Sequence, residues 1–271
     1  MKRRGGGKLR PARYSRLVND KEFPTINRGT QSPSLRPAPR QDASLPPALL
    51  NIRRVGLLGG TFDPVHYGHL VIAEEVRATL DLSELVFVPA GQPPHKPGQT
   101  IAAAYHRLTM LQLAIASNPY FTISQVDLER PGPSYTVETL RLLRQQWDAQ
   151  TAFYFIIGGD SLDELLTWRD PAGILEQLTY LVAVQRPGYE EAPEYRASLE
   201  ARLPGIKQRL IMVRAPQLEI SSTDLRLRVA EERPIKYQTP EAVEYYIAQY
   251  GLYKEKQEDK EQRPVHDTNA H

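Results

Sequence analysis

With 271 residues, 41% of them hydrophobic and 24% charged, the chain has the size and composition of a soluble α/β domain that buries a full core without staples. It contains no cysteine, which excludes disulfides, thiolate metal sites and cysteine nucleophiles and fits a cytoplasmic location. No apolar run approaches the roughly 20 residues of a membrane span, and Arg3-Arg4 is followed by glycine-rich basic sequence rather than the apolar stretch of an export signal.

The formal net charge of +2 conceals two opposite regions. Residues 1–50 carry eleven Lys/Arg against three Asp/Glu, with seven prolines and no sustained apolar period, so they are expected to form a disordered basic tail. The rest of the chain is mildly acidic, with 23 basic and 29 acidic residues, so no nucleic-acid-binding body is expected. Residues 254–271 are polar throughout and read as a second disordered tail, which leaves 51–253 as the folded domain.

Within that domain apolar strands alternate with helical patterns. Val55–Leu58 is a short apolar run that stops at Gly59-Gly60, a buried strand ending in a tight turn. Leu70, Ala73, Val76 and Leu80 recur at helical spacing within 68–80. Strands are then expected at 85–89, 121–126, 153–157, 180–184 and 210–213, with helices at 105–117, 134–146, 222–231 and 240–249. Strands separated by helices of this length predict an α/β fold, a Rossmann-like, doubly wound, mostly parallel sheet closed by C-terminal helices. In such sheets ligands bind beyond the carboxyl ends of the strands, so the loops after strands are the places to search.

The first such loop reads GGTFDPVHYGHL from Gly59 to Leu70. Gly59 and Gly60 allow backbone to approach a phosphate closely. Neither the dinucleotide fingerprint nor the P-loop is present, which removes two common nucleotide readings. His66 and His69 lie at the start of the following helix, whose N-terminal dipole attracts anions. Imidazoles three residues apart there are suitable donors to a phosphoryl group gathering charge. A histidine pair near a helix start is often merely structural. Its place after the first strand, beside two glycines, makes a phosphate site the better reading; the spacing lacks the i, i+4 form of a helical zinc pair.

Five further segments carry chemistry. Pro93-Pro94-His95-Lys96 follows the second strand and puts a fixed positive charge at Lys96 over the cleft. Ile220-Ser221-Ser222-Thr223-Asp224-Leu225-Arg226 combines a helix N-cap with an arginine one turn on. Thr136 opens a helix, where it could meet an anion, and Asp160 in Gly158-Gly159-Asp160-Ser161 is placed to hold a ribose hydroxyl. The indole of Trp168, followed by Arg169, suits stacking on a flat heteroaromatic ring. Read alone, each has a plain alternative as a cap, a turn or a buried side chain, and His106 reads as structural.

Together these strings resemble the HxGH nucleotidyltransferases, and GGTFDPVHYGHL is similar to the signature of bacterial nicotinate-nucleotide adenylyltransferases. The resemblance runs from about Val55 to Tyr253. It implies that His66 and His69, with Lys96 and Arg226, bind the ATP phosphates and stabilise the transition state. It places Gly59, Gly60, Thr61, Phe62, Ser221, Ser222 and Thr223 around ATP, and Thr136, Asp160, Trp168 and the Arg169 backbone around the acceptor. Gly159 stands where the family often has alanine or glutamine. The implied reaction joins an adenylyl group from ATP to nicotinate mononucleotide, with Mg²⁺ carried on the ATP phosphates and no dedicated protein metal site. Adenylylation of nicotinamide mononucleotide or phosphopantetheine is the alternative within the superfamily, and a non-catalytic nucleotide sensor is the alternative outside it. A homo-oligomer is left open.

Overall fold

The computed structural model describes residues 52–94, 100–185, 194–216 and 218–254. The expectations for the basic tail and for 255–271 therefore lie outside the described residues.

Six strands form one sheet: β1 (Arg54–Gly60), β2 (Glu84–Pro89), β3 (Phe121–Ile123), β4 (Ala152–Gly158), β5 (Tyr180–Gln185) and β6 (Leu210–Arg214). Their order is β3-β2-β1-β4-β5-β6 and every pairing is parallel. The expected mostly parallel sheet is thus wholly parallel among the described residues. The order reverses between β1 and β4, whose register aligns Leu58 with Ile156. Beyond the carboxyl ends of these two strands the flanking helices diverge and leave a crevice.

Helices cover both faces. Successive strand residues point to opposite sides, so β1 sends Leu58 to one core, and Val55 and Leu57 to the other; β4 does likewise with Ile156, and with Phe153 and Phe155. The first core receives α1 (Tyr67–Thr79), α2 (Ala104–Ile115) and, at the C-terminal end, α9 (Ser222–Ala230) and α10 (Glu241–Gln249). The second receives α4 (Thr136–Gln146) through Val137, Leu140 and Leu143, and α6 (Pro171–Gln177) through Ile174 and Leu175. Burial on both faces explains why the strands read as continuous apolar runs.

Two sequence expectations change. The third strand stops at Ile123 rather than 126, because Val126 turns inward as the first residue of a one-turn helix, α3 (Val126–Glu129). Four short helices were not anticipated: α5 (Gly159–Glu164), α6, α7 (Tyr195–Arg202) and α8 (Ile206–Arg209). One carried a readable start signal, since Asp170 caps α6 by accepting from the Gly173 amide at 3.0 Å and Pro171 occupies its first turn. The others are too short for apolar periodicity to register.

The loops after β2 and before α4 are fastened together. Ser134 Oγ accepts from the Gly91 amide at 2.9 Å and the Gln92 amide at 3.3 Å, and the Ser134 amide donates to the Gln92 carbonyl at 2.8 Å. This close approach needs a glycine, because a Cβ at position 91 would overlap the Asp127 carbonyl oxygen. Gly91→Ala is expected to destabilise the fold by about 2 kcal/mol. Thermal unfolding should then show a midpoint roughly 4–8 °C lower.

Candidate active site

Strand β1 delivers the chain into the crevice at Gly59 and Gly60. The next residues fold beneath it: Phe62 takes φ 50°, in the left-handed region, and turns its ring into the core, where it is 1% exposed. That ring lies 5.1 Å from His69 and 5.6 Å from Phe87, both edge to face. Gly60 is a glycine for this reason as well as for any ligand, since a Cβ there would stand 2.8 Å from the Phe62 ring. Phe62, expected in the nucleotide cleft, instead supports the cleft from behind His69.

His66 precedes α1 in extended conformation, and its amide donates to His69 Nδ1 at 3.2 Å. With Nδ1 accepting, Nε2 is the ring atom of His69 that can donate. The two imidazoles stack at 3.7 Å, and Gly68 is required beside them: a Cβ would come within 3.0 Å of the His66 ring. His66 is buried, and its Nδ1 has no hydrogen-bond partner among the described residues. Burial pulls its imidazole down to about 4, so it is uncharged at neutral pH.

The loop from Asp63 to His66 is held by its own carbonyls. Arg226 Nη1 donates to the Asp63 carbonyl at 2.9 Å, Ser222 Oγ to Pro64 at 2.8 Å, and Thr239 Oγ1 to Val65 at 2.8 Å. Ser221 caps α9 by accepting from the Asp224 amide at 3.1 Å, and Thr223 accepts from Arg226 at 3.3 Å. Ser222 and Arg226 thus fasten the histidine loop, and part of the Arg226 fork is already engaged.

A cavity of about 830 Å³ opens at the switch point. Gly59, Gly60, Thr61 and His69 line one end, and Thr136, Trp168 and Arg169 the other. Thr136 is the first residue of α4, and Trp168 meets Phe155 edge to face at 6.4 Å. Arg169 lies over the Tyr135 ring at 4.5 Å and pairs with Glu138 at 3.4 Å. Asp160 lines a smaller adjoining hollow of about 130 Å³, which shares Ile72 and Gly158 with the main cavity. His95 and Lys96 lie outside the described residues. His106 is remote from these walls, with Nδ1 3.0 Å from the Tyr246 hydroxyl.

Three features escaped sequence reasoning. Arg107, 1% exposed, donates to the carbonyls of Ala102 (3.0 Å), Thr61 (2.8 Å), Ala90 (2.7 Å) and Gly91 (3.3 Å). It therefore ties together the loops after β1 and β2. Asp127 and Thr139 line the cavity as a buried pair, with Thr139 Oγ1 donating at 2.8 Å and Arg130 Nε closing the same carboxylate oxygen at 2.8 Å. Asp63 is buried behind the histidine loop. An arginine or aspartate on an apolar face was the available signal for Arg107 and Asp127.

A parallel sheet in the order 3-2-1-4-5-6, with paired imidazoles at the first helix and a cavity across the switch point, defines a nucleotide-binding transferase fold. The chain belongs to the cytidylyltransferase-like family, whose model matches residues 57–228. Within it the chain belongs with the nicotinate-nucleotide adenylyltransferases. It is 49% identical over 201 residues to a probable nicotinate-nucleotide adenylyltransferase of Thermomicrobium roseum, covering 74% of this chain and 92% of that relative. A protein of the same name from a Roseiflexus species is 50% identical over 200 residues, covering 74% of this chain and 98% of the relative. The fold is shared with Plasmodium falciparum nicotinic acid mononucleotide adenylyltransferase complexed with NaAD. That structure has a TM-score of 0.60 and 18% identity, covering 74% of this chain and 97% of the other.

The lowered pKa of His66 has a stability consequence. The unfolded chain takes up a proton near 6.5 and the folded chain only near 4, so the contribution is complete above pH 6.5 and is lost progressively as pH falls toward 4. At pH 5 the loss from this residue is about 2 kcal/mol. His66→Gln should therefore show a smaller drop in unfolding free energy than the wild type between pH 7 and pH 5, measured by urea titration.

Proposed function

We propose that the protein transfers the adenylyl group of ATP to nicotinate mononucleotide, forming the dinucleotide and releasing pyrophosphate in NAD biosynthesis. The observation that carries this reading is the single cavity that joins Gly59, Gly60, Thr61 and His69 to Thr136, Trp168 and Arg169. The residues expected to handle ATP and those expected to choose the acceptor face one another across it.

In the proposed reaction an oxygen of the acceptor's phosphate attacks the α-phosphorus of ATP in line. The new P–O bond forms as the bond to the pyrophosphate oxygen breaks. A phosphate monoester is already anionic near pH 7, so the site needs no strong general base. What it must supply is orientation and stabilisation of charge. The His66 amide holds the His69 ring at Nδ1, and this reading assigns the Nε2 side to phosphate. His66, neutral by burial, acts as a hydrogen-bonding group rather than as a positive charge. The N-terminal amides of α1 and α9 and the remaining donors of Arg226 face phosphate, with Lys96 as a further cation.

Among the described residues no three His, Cys, Asp or Glu side chains converge to hold an ion. In this reading Mg²⁺ would arrive as a companion of ATP, bound by phosphates and water. At the acceptor end, the Trp168 face stacks on the pyridine ring. Thr136 and the Arg169 backbone amide meet its carboxylate, which favours the acid over the amide. Asp160, in the adjoining hollow, is assigned in this reading to a ribose hydroxyl of the acceptor. Among the described residues no helix is long and apolar enough to cross a membrane.

Pyrophosphate release from ATP and Mg²⁺ is the direct test, with nicotinate mononucleotide, nicotinamide mononucleotide and phosphopantetheine as alternative acceptors. Turnover is expected with the nicotinate form, and His69→Ala should lower kcat by about 10²–10³-fold. Preference for another acceptor would overturn the assignment of Thr136 and Trp168. ATP binding without turnover on any acceptor would replace the enzyme with a nucleotide sensor.

A further inference from the structure

The C-terminal end of the described chain reaches back to the histidine loop. Helix α10 ends in a Schellman turn: Gly251, with φ 59°, occupies the left-handed position, and the Leu252 amide donates to the Ile247 carbonyl at 3.0 Å. This reversal aims the next residue inward instead of letting the chain run off the helix. Tyr253 itself adopts φ 64°, which is unfavourable for a residue with a Cβ and persists only where its surroundings impose it.

The side chain that this reversal delivers makes a part-buried hydrogen bond. The Tyr253 hydroxyl donates to Asp63 Oδ1 at 2.7 Å, and its ring packs against the core shared by α1, α2 and β1. Asp63 is 2% exposed, and its other oxygen accepts from the Ala102 amide at 3.4 Å. Arg107 and Arg226 are the cations near this pair; Arg226 holds the Asp63 carbonyl, and Arg107 holds Thr61, two residues earlier. Burial, and then the Asp63 carboxylate, raise the tyrosine hydroxyl well above the usual phenol range, so it stays a donor. Three residues after Asp63, the His66 amide makes the bond that fixes the His69 ring.

We propose that Tyr253 is a positioning residue for adenylyl transfer: its hydroxyl fixes Asp63, and through Asp63 the short backbone that sets the His69 imidazole. A tyrosine serving only the core would need its ring and not its hydroxyl. Here the hydroxyl lies on a carboxylate buried behind the histidine loop, just past the end of a helix whose last turn is shaped to deliver it. The kinetic part of this inference rests on the proposed adenylyltransferase reading, whereas the structural part does not.

The test uses the full chain with Tyr253→Phe, Asp63→Asn and the double variant. Steady-state rates would be measured together with ¹⁵N spectra of the histidine rings in substrate-free protein. Tyr253→Phe is expected to lower kcat by about tenfold or more while KM for the mononucleotide changes less than about twofold, as for lost alignment rather than lost binding. The His69 resonances should move from a single Nε2–H tautomer toward a mixture. The double variant should be no worse than the more impaired single, because the two groups act as one unit. Wild-type kcat and an unchanged His69 spectrum in Tyr253→Phe, with only a lowered thermal midpoint, would overturn the proposal; so would strictly additive losses in the double variant. If Tyr253→Phe does not fold, Asp63→Asn, which keeps an acceptor oxygen, must still shift the His69 signals for the proposal to stand. A wild-type protein that turns over no acceptor would defeat the functional reading alone, and the ring spectra would still decide the role of Tyr253.

Discussion

The buried guanidinium of Arg107 is the interaction on which the arrangement of the cavity depends. It donates to four backbone carbonyls, three of them between β2 and α2 and one in the loop after β1, inside a core that gives it almost no contact with water. Loop carbonyls buried beneath a cavity must find donors, and these loops cannot use a sheet ladder because the strands have ended. A charged donor adds roughly 1.5–3 kcal/mol per bond rather than the roughly 1 kcal/mol of a neutral one. The cost is desolvation of the cation, which lowers its pKa and is opposed by the nearby Asp63 carboxylate.

The same device recurs along the histidine loop. Arg226, Ser222 and Thr239 take the carbonyls of three consecutive residues, Asp63, Pro64 and Val65. None belongs to β1 or α1. The first loop is therefore shaped by segments more than 150 residues later in the chain, α9 and the residue Thr239 just before α10. Such over-determination suits a reaction in which the protein offers position and fixed donors rather than a nucleophile or a strong base. It also explains how a phenylalanine is kept at φ 50° beneath His69, where an isolated chain would avoid that conformation.

The cavity itself follows from topology. The reversal of strand order between β1 and β4 separates the helices that cover the two faces, and the loops after those strands supply opposite walls. One wall is polar and glycine-rich, with His69 at the start of α1. The other combines the α4 N-terminus with the aromatic face of Trp168, and the buried Asp127–Thr139–Arg130 group stiffens it from below.

Much of this was legible in the residues. The alternation of apolar runs and helical spacing determined a doubly wound parallel sheet, because burial on both faces leaves a strand no polar side to show. GGTFDPVHYGHL and ISSTDLR marked the loops, because glycine pairs, imidazoles and capping hydroxyls have strong local requirements. Short elements such as α5 and α8 were not legible, since one or two turns carry no period. Nor was the division of labour within the motifs: His69 lines the cavity while His66 is buried and neutral behind it, Phe62 is a support, and Ser222 with part of Arg226 holds backbone. Arg107, Asp63 and Tyr253 gave almost no local sign. Their partners lie 46 residues away for Arg107 with Thr61 and 190 for Asp63 with Tyr253. The sequence by itself determined which segments form strands and helices of a parallel sheet, and which loops to search, because those depend on local propensity and pattern. Only the tertiary structure decided which side chain lines the cavity and which holds the loop, because that depends on hydrogen bonds between residues remote in the chain.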